Sequence, residues 1–169
     1  MSNQFATVVE DLPVQILDTR KTTPTIRFLE KWAVLIGGCT NYRFGLYDWI
    51  MIKDNHVDAA GSITNAIKRV DKYQKANKLK LNVTVEVRNM KELKEVLKVG
   101  KVTRIMLDNF EIKTLKKAVA LIGDQYETEA SGGITMKTVR KVAKTGVQYI
   151  SSGALTHSYH SLDLSLKVI

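Results

Sequence analysis

The 169-residue chain reads as an α/β protein built on parallel strands, and three observations predict that class. Short apolar or β-branched runs alternate with amphipathic helical stretches along almost the whole sequence. The order repeats as β-α-β-α, and strands joined through helices run parallel by right-handed crossovers. The runs are also too apolar for a sheet with one face in water. An open doubly wound sheet and a β/α barrel both satisfy these observations. Six strand candidates are too few for a closed eight-stranded barrel, so any barrel here is incomplete.

The strand candidates are VQIL (14–17), WIMI (49–52), NVTVEV (82–87), TRIML (103–107), QYETEA (125–130) and QYISS (148–152). After the first of them, Pro24 opens a helical stretch. Ile63, Ala66, Ile67, Val70 and Tyr73 recur at helical spacing, and so do Met90, Leu93, Val96 and Leu97. Two more such faces follow, Ile112, Leu115, Val119 and Ile122, then Met136, Val139, Val142 and Ala143. Ser62, Asn89, Asn109 and Thr135 are expected as N-caps, because their side chains can accept from orphan amides of the first turn. Gly38, Gly100, Gly123 and Gly146 are expected at helix C-termini, where a left-handed residue ends the helix.

Composition narrows the function classes. A hydrophobic fraction of 44% and a charged fraction of 25% are ordinary for a globular domain. No apolar run approaches the roughly 20 residues of a membrane helix, and the N-terminus lacks a basic segment followed by an apolar one. With Cys39 alone there is no internal disulfide, which points to a reducing compartment and the cytoplasm. The net charge of +9 favours anionic partners. Most lysines, however, fall on the solvent faces of the helical stretches. No Arg-rich tail, zinc-finger spacing or basic run interleaved with aromatics argues for nucleic acid.

The charges at the strand ends carry more information. Asp18-Thr19-Arg20-Lys21, Lys53-Asp54-Asn55-His56, Glu86, Asp108-Asn109, Glu129 with Ser131, and Ser152-Gly153 all follow strand candidates. In parallel β/α folds this edge gathers the substrate loops. Arg20, Lys21, Arg43 and Lys53 are expected at one rim, joined by Arg27 if the first helix turns inward. Arginine pairs bidentately with carboxylate or phosphate and lysine supplies a compact charge, so the set fits a polyanion. Ion pairing with Asp18, Asp48 or Asp54 is the alternative use of these cations. The glycine loops EASGGIT (129–135) and SSGALTHS (151–158) allow backbone amides to approach a phosphate. Glu86 and Asp108 are suited to sugar hydroxyls, to Mg²⁺ through water, or to a developing cation. His56 and His157 lack the companions of a zinc site, and Cys39 reads as a packing residue.

The motifs ILDTRKTTP, NYRFGLYDWIMIKDNH, VTVEV, IMLDN, EASGGIT and SSGALTHS…LDLSL, in that order, resemble quinolinate phosphoribosyltransferases from about Val14 to the C-terminus. The resemblance implies phosphoribosyl transfer from phosphoribosyl pyrophosphate to quinolinate with decarboxylation, giving nicotinate mononucleotide, pyrophosphate and CO₂ in NAD biosynthesis. It implies Mg²⁺ and a dimer. The fold it implies is an open, TIM-barrel-like parallel β/α barrel of about six strands. By similarity Arg20, Lys21, Tyr42, Arg43 and Lys53 hold quinolinate. Lys21, Glu86, Asp108, Ser131, Gly132, Gly153 and His157 take the ribose and phosphates, with Glu86 and Asp108 also the metal carboxylates. Lys53, Glu86 and Asp108 are the expected catalytic residues. The chain departs from the family pattern at Tyr42, where a histidine is usual. A tyrosine there can donate a hydrogen bond but carries no positive charge. Thr25 replaces a glycine, and Arg88 replaces an acidic residue. Residues 1–13 read as an N-terminal extension and 14–169 as the barrel domain, with the family's N-terminal α/β domain missing. An anion-binding barrel that is catalytically silent without that domain is the alternative function. An aldolase-like barrel with Lys53 as Schiff-base lysine is a third option, which leaves DTRKTTP and LTHS without a role.

Overall fold

The computed structural model describes residues 1–160 and 162–169. Six strands form one sheet: β1 (Gln15–Leu17), β2 (Ile50–Ile52), β3 (Val83–Val87), β4 (Arg104–Asp108), β5 (Glu127–Ser131) and β6 (Tyr149–Ser151). Each neighbouring pair is parallel, in the order β1-β6-β5-β4-β3-β2. β1 and β2 are therefore edges, and the barrel does not close. Thr40 lengthens the β1 edge, donating its amide to Ile16 O and accepting from Asp18 N. Of the two architectures the sequence allows, the chain adopts the open, TIM-barrel-like one.

The helices are α1 (Ser2–Val8), α2 (Arg27–Ile36), α3 (Asp54–Ala60), α4 (Ile63–Ala76), α5 (Met90–Val99), α6 (Ile112–Ile122), α7 (Val139–Ala143) and α8 (Ala154–His157). None of them is long and apolar enough to cross a membrane. Their apolar faces pack on the outward strand residues. Val85, Val87, Ile105 and Ile150 join Leu93, Val96, Ala118 and Ile122 in one core and are fully covered. Burying a side chain of this size contributes about 1.5–3 kcal/mol.

The inward face differs from the expectation of uniformly apolar strands. Because side chains alternate along a strand, Thr84, Arg104 and Glu129 point the other way and are buried inside the barrel, while Glu86, Asp108 and Ser131 stand above them. The register pairs Arg104 with Glu127, Met106 with Glu129 and Asp108 with Ser131, which stacks the interior in layers. Both sheet faces are covered, one by apolar helices and the other by a polar network.

Ser62 and Asn89 cap α4 and α5, accepting from Asn65 N and from Lys91 and Glu92 N. Gly38, Gly100, Gly123 and Gly146 all take positive φ at helix ends. Two expected caps differ. Asn109 has φ 54° and turns its amide onto Asp108 Oδ2 at 2.7 Å, so α6 begins after Glu111 instead. At Thr135 the helical turn begins, but it is Thr138 Oγ1 that accepts from Thr135 N. Met136 lies in the intervening turn, 38% exposed, and off the helix face assigned to it. The first thirteen residues hold α1, whose Phe5 enters the core together with Val9, and Arg140 clamps this segment through Asp11 and Val8 O.

Candidate active site

The C-terminal strand ends surround a cavity of about 890 Å³. All eleven residues expected at the site line it: Arg20, Lys21, Tyr42, Arg43, Lys53, Glu86, Asp108, Ser131, Gly132, Gly153 and His157. Arg27 does not. It bonds Thr22 Oγ1, Arg20 O and Phe44 O, and so braces the loop that carries Arg20.

The β1 exit is organised from beneath by Asp18. Its Oδ1 accepts from Lys31 Nζ at 2.6 Å and from Tyr42 N at 2.7 Å, with Asp18 fully buried and Lys31 2% exposed. Turned with its nitrogen inward, the Asn41 amide donates to Asp18 Oδ2 and to Lys31 O. One carboxylate thus joins β1, α2 and the strap leading to β2. Burial works against both charges, raising the Asp18 pKa and lowering that of Lys31, although each is the other's stabilising partner.

This arrangement settles how the acids near the cations are used. Asp18 is consumed by Lys31, and Asp48 accepts from Phe44 N and Gly45 N. Arg20, Lys21 and Arg43 have no carboxylate partner among the described residues, and Arg20 Nε is buried without a hydrogen bond. Arg43 donates to Trp49 O, and its burial pushes its pKa down. Lys53 is the exception, 3.8 Å from Glu86. At that distance, with Lys53 half exposed, the pair is a weak contact rather than a tight salt bridge.

Burial and then the charge of Asp108 raise the pKa of Glu86, while Lys53 opposes the shift. Both carboxylates line the same cavity, on the directly paired strands β3 and β4. No group of three metal-binding side chains occurs among the described residues. A carboxylate pair that leaves its remaining positions to waters and phosphates is the donor set Mg²⁺ accepts.

Opposite them, Gly132 has φ 91°, and a Cβ there would strike the Asn109 amide. Gly153 lies beneath the His157 ring, where a Cβ would come within 2.6 Å of Nε2. The positive φ of Gly132 favours glycine, while the Gly153 contact is with a movable side-chain end, and both glycines line a cavity rimmed by Lys21 and His157. Thr156 Oγ1 donates to Lys21 O at 2.6 Å and ties the last loop to the first.

Two expectations change in detail. The Tyr42 hydroxyl is bonded to Thr84 Oγ1 at 2.7 Å, so the residue shows its ring to the cavity rather than a free donor. Burial, with the nearby Glu129 charge second, raises its pKa and keeps it neutral. Glu129, read as a strand-end residue, lies two positions below the end of β5 and is fully buried in the floor.

A family model described as the C-terminal domain of quinolinate phosphoribosyl transferase matches residues 1–167. The chain belongs to that family. The carboxylating nicotinate-nucleotide pyrophosphorylase of Arabidopsis thaliana chloroplasts is 52% identical over 170 residues, an alignment covering 92% of this chain and 49% of that protein. The probable Bacillus subtilis enzyme of the same name is 45% identical over 99% of this chain and 57% of its own length. The crystal structure of NadC from Streptococcus pyogenes superposes with a TM-score of 0.89 at 39% identity, over 99% of this chain and 58% of that one. The chain thus spans about half the length of the curated relatives it matches. Among the departures of this quinolinate phosphoribosyltransferase barrel, Thr25 takes φ 70°, the left-handed region that glycine tolerates and a β-branched residue resists, and Arg88 pairs with Asp58 and Glu92.

Proposed function

We propose that this chain is the barrel of a quinolinate phosphoribosyltransferase, binding quinolinate and phosphoribosyl pyrophosphate and joining them with loss of CO₂. The observation that carries the reading is the gathering of three cations without carboxylate partners, Arg20, Lys21 and Arg43, in one cavity with two glycine loops and a carboxylate pair. A dicarboxylate with a phosphate and a pyrophosphate supplies the anions such a site requires.

Arg20, Arg43 and Lys53 hold the two carboxylates of quinolinate, with the Tyr42 ring beside them. The amides around Gly132 and Gly153, with Ser131 and His157, take the 5′-phosphate. Lys21 bridges the pyrophosphate and the dicarboxylate. The ring nitrogen attacks the anomeric carbon as the bond to pyrophosphate breaks, and Glu86 and Asp108 offset the positive charge that develops on the ribose. Mg²⁺, held by Glu86 and Asp108 through water, would neutralise the leaving pyrophosphate. As the carboxylate next to the cationic ring nitrogen leaves as CO₂, its bonding electron pair stays on the ring carbon, where the adjacent positive charge stabilises it until a proton from solvent takes the carboxylate's place. No protein nucleophile enters. Residues 1–13 accompany the barrel domain, 14–169. The buried free thiol of Cys39 supports a reducing, cytoplasmic setting. Phe28, Trp32 and Ile36 on α2, 66, 56 and 72% exposed, support self-association as a dimer.

The purified chain is mixed with quinolinate, phosphoribosyl pyrophosphate and Mg²⁺, and nicotinate mononucleotide is followed. Product formation that Arg20→Ala and Lys53→Ala each abolish is expected. Because the chain spans about half of its relatives, the second reading is an anion-binding barrel without turnover. Phthalate binding without product favours that reading, and phthalate binding untouched by both substitutions overturns the site itself.

A further inference from the structure

Of the two cavity-lining carboxylates that the proposed chemistry leaves unused, Asp54 and Glu129, Glu129 is the buried one. It is fully buried, and its Oε2 lies 3.3 Å from Arg104 Nη1 while its Oε1 has no hydrogen-bond partner. Arg104 is already engaged. It meets Glu127 at 2.7 Å and stacks over the rings of Tyr149, Trp49 and Tyr42. The groups facing Glu129 are Arg104 from β4, Ser151 from β6, and Tyr42 and Arg43 from the strap before β2. Tyr149 pairs with it in register, and Glu127 shares its face of β5.

An ionised carboxylate in this position would leave one buried oxygen bare, which is costly. It would also bring negative charge to the floor of a cavity whose cations await an anion, and cancel part of the attraction of Arg43. A neutral carboxylic acid buries no charge beside that unpartnered oxygen and leaves the attraction of Arg43 uncancelled.

We infer that Glu129 makes anion binding here proton-coupled: the ligand is held while Glu129 is protonated, and ionisation of Glu129 weakens its hold. The inference rests on the dicarboxylate reading above. Burial raises the pKa of Glu129, against the lowering pull of Ser151, Arg104 and Tyr42. For a raised carboxyl pKa the affinity is full below that pKa and falls as pH rises through it, by about tenfold per unit when one proton is required.

The test is the Kd of phthalate by calorimetry, from about pH 6 to about pH 9, where both ligand carboxylates are ionised. Wild type is expected to lose affinity with rising pH and to take up close to one proton on binding at the alkaline end. Proton uptake is measured in two buffers of different ionisation heat. Glu129→Gln, which mimics the neutral acid, is expected to flatten the pH profile and remove the uptake. The uptake measurement on wild type stands alone if the variant does not fold. Binding with no proton uptake, or a profile that Glu129→Gln leaves sloping, overturns the inference while sparing the dicarboxylate site. Absence of phthalate binding at every pH overturns both.

Discussion

Replacing Lys31 by methionine isolates the buried pair under the β1 exit. The side-chain stem and its packing are retained, but Asp18, with no exposed surface, loses a partner 2.6 Å away. Removing one member of a buried pair typically costs about 3–5 kcal/mol, because the other charge stays behind uncompensated. Here Tyr42 N and Asn41 still reach the Asp18 carboxylate, so the lower end of that range, about 3 kcal/mol, is expected. For a domain of this size that corresponds to a melting point lower by roughly 6–12 °C. Asp18→Asn strands Lys31 in the same way, whereas the double variant Asp18→Asn/Lys31→Met strands neither. Urea unfolding of the four proteins should therefore give a double variant more stable than the sum of the single losses by about 2 kcal/mol. Phthalate affinity should fall in Lys31→Met as well, since Asp18 anchors the amide of Tyr42 next to Arg43. Single losses below about 1 kcal/mol, or strict additivity, would refute the assignment of Asp18 and Lys31 as an interdependent buried pair.

Three other outcomes follow from local geometry. Thr25→Gly should stabilise the fold by about 1 kcal/mol, the strain of a β-branched residue at φ 70° exceeding the entropy cost of glycine, as thermal unfolding would show. Gly132→Ala should cost about 1–3 kcal/mol from its φ of 91°, push Asn109 off Asp108, and weaken ribose 5-phosphate binding; unchanged binding would count against that loop as a phosphate cradle. Arg140 lowers the pKa of Asp11 to about 2 from its ordinary 3.8, so the stability this pair contributes is present above pH 3.8 and is lost as pH falls towards 2. Acid unfolding of Asp11→Asn should lack that component, and identical acid profiles would show that the α1 clamp adds nothing.

Much of the frame was legible from residue order. Strand runs at 82–87 and 103–107 announce β3 and β4 to within a residue, because β-branched and apolar residues cluster there between helical faces. Ser62 and Asn89 were readable as caps because capping is a local hydrogen bond. Asn109 and Thr135 were not, since each is claimed by a neighbour: Asn109 by Asp108, and Thr135 by Thr138. The segment holding α1 has too few periodic apolar residues to announce a helix, and its stability comes from Phe5 and Val9 meeting a core built from distant residues. Glu129 could be seen to share a face with Ser131 by its spacing of two, but its depth could not, because strand ends are uncertain by a residue or two.

The order of the residues by itself determined the parallel β/α class and the edge where the function sits. Crossovers through helices make consecutive strands parallel, and parallel strands deliver their C-terminal residues to a common rim. The tertiary structure alone decided which charges there are free and which cancel. Asp18 and Lys31 are thirteen positions apart in sequence and meet only when α2 folds back under β1. Arg104 and Glu127 meet only through the β4–β5 register. Charge pairing depends on distance and burial, which a one-dimensional order does not contain. Those pairings leave Arg20, Lys21 and Arg43 without carboxylate partners.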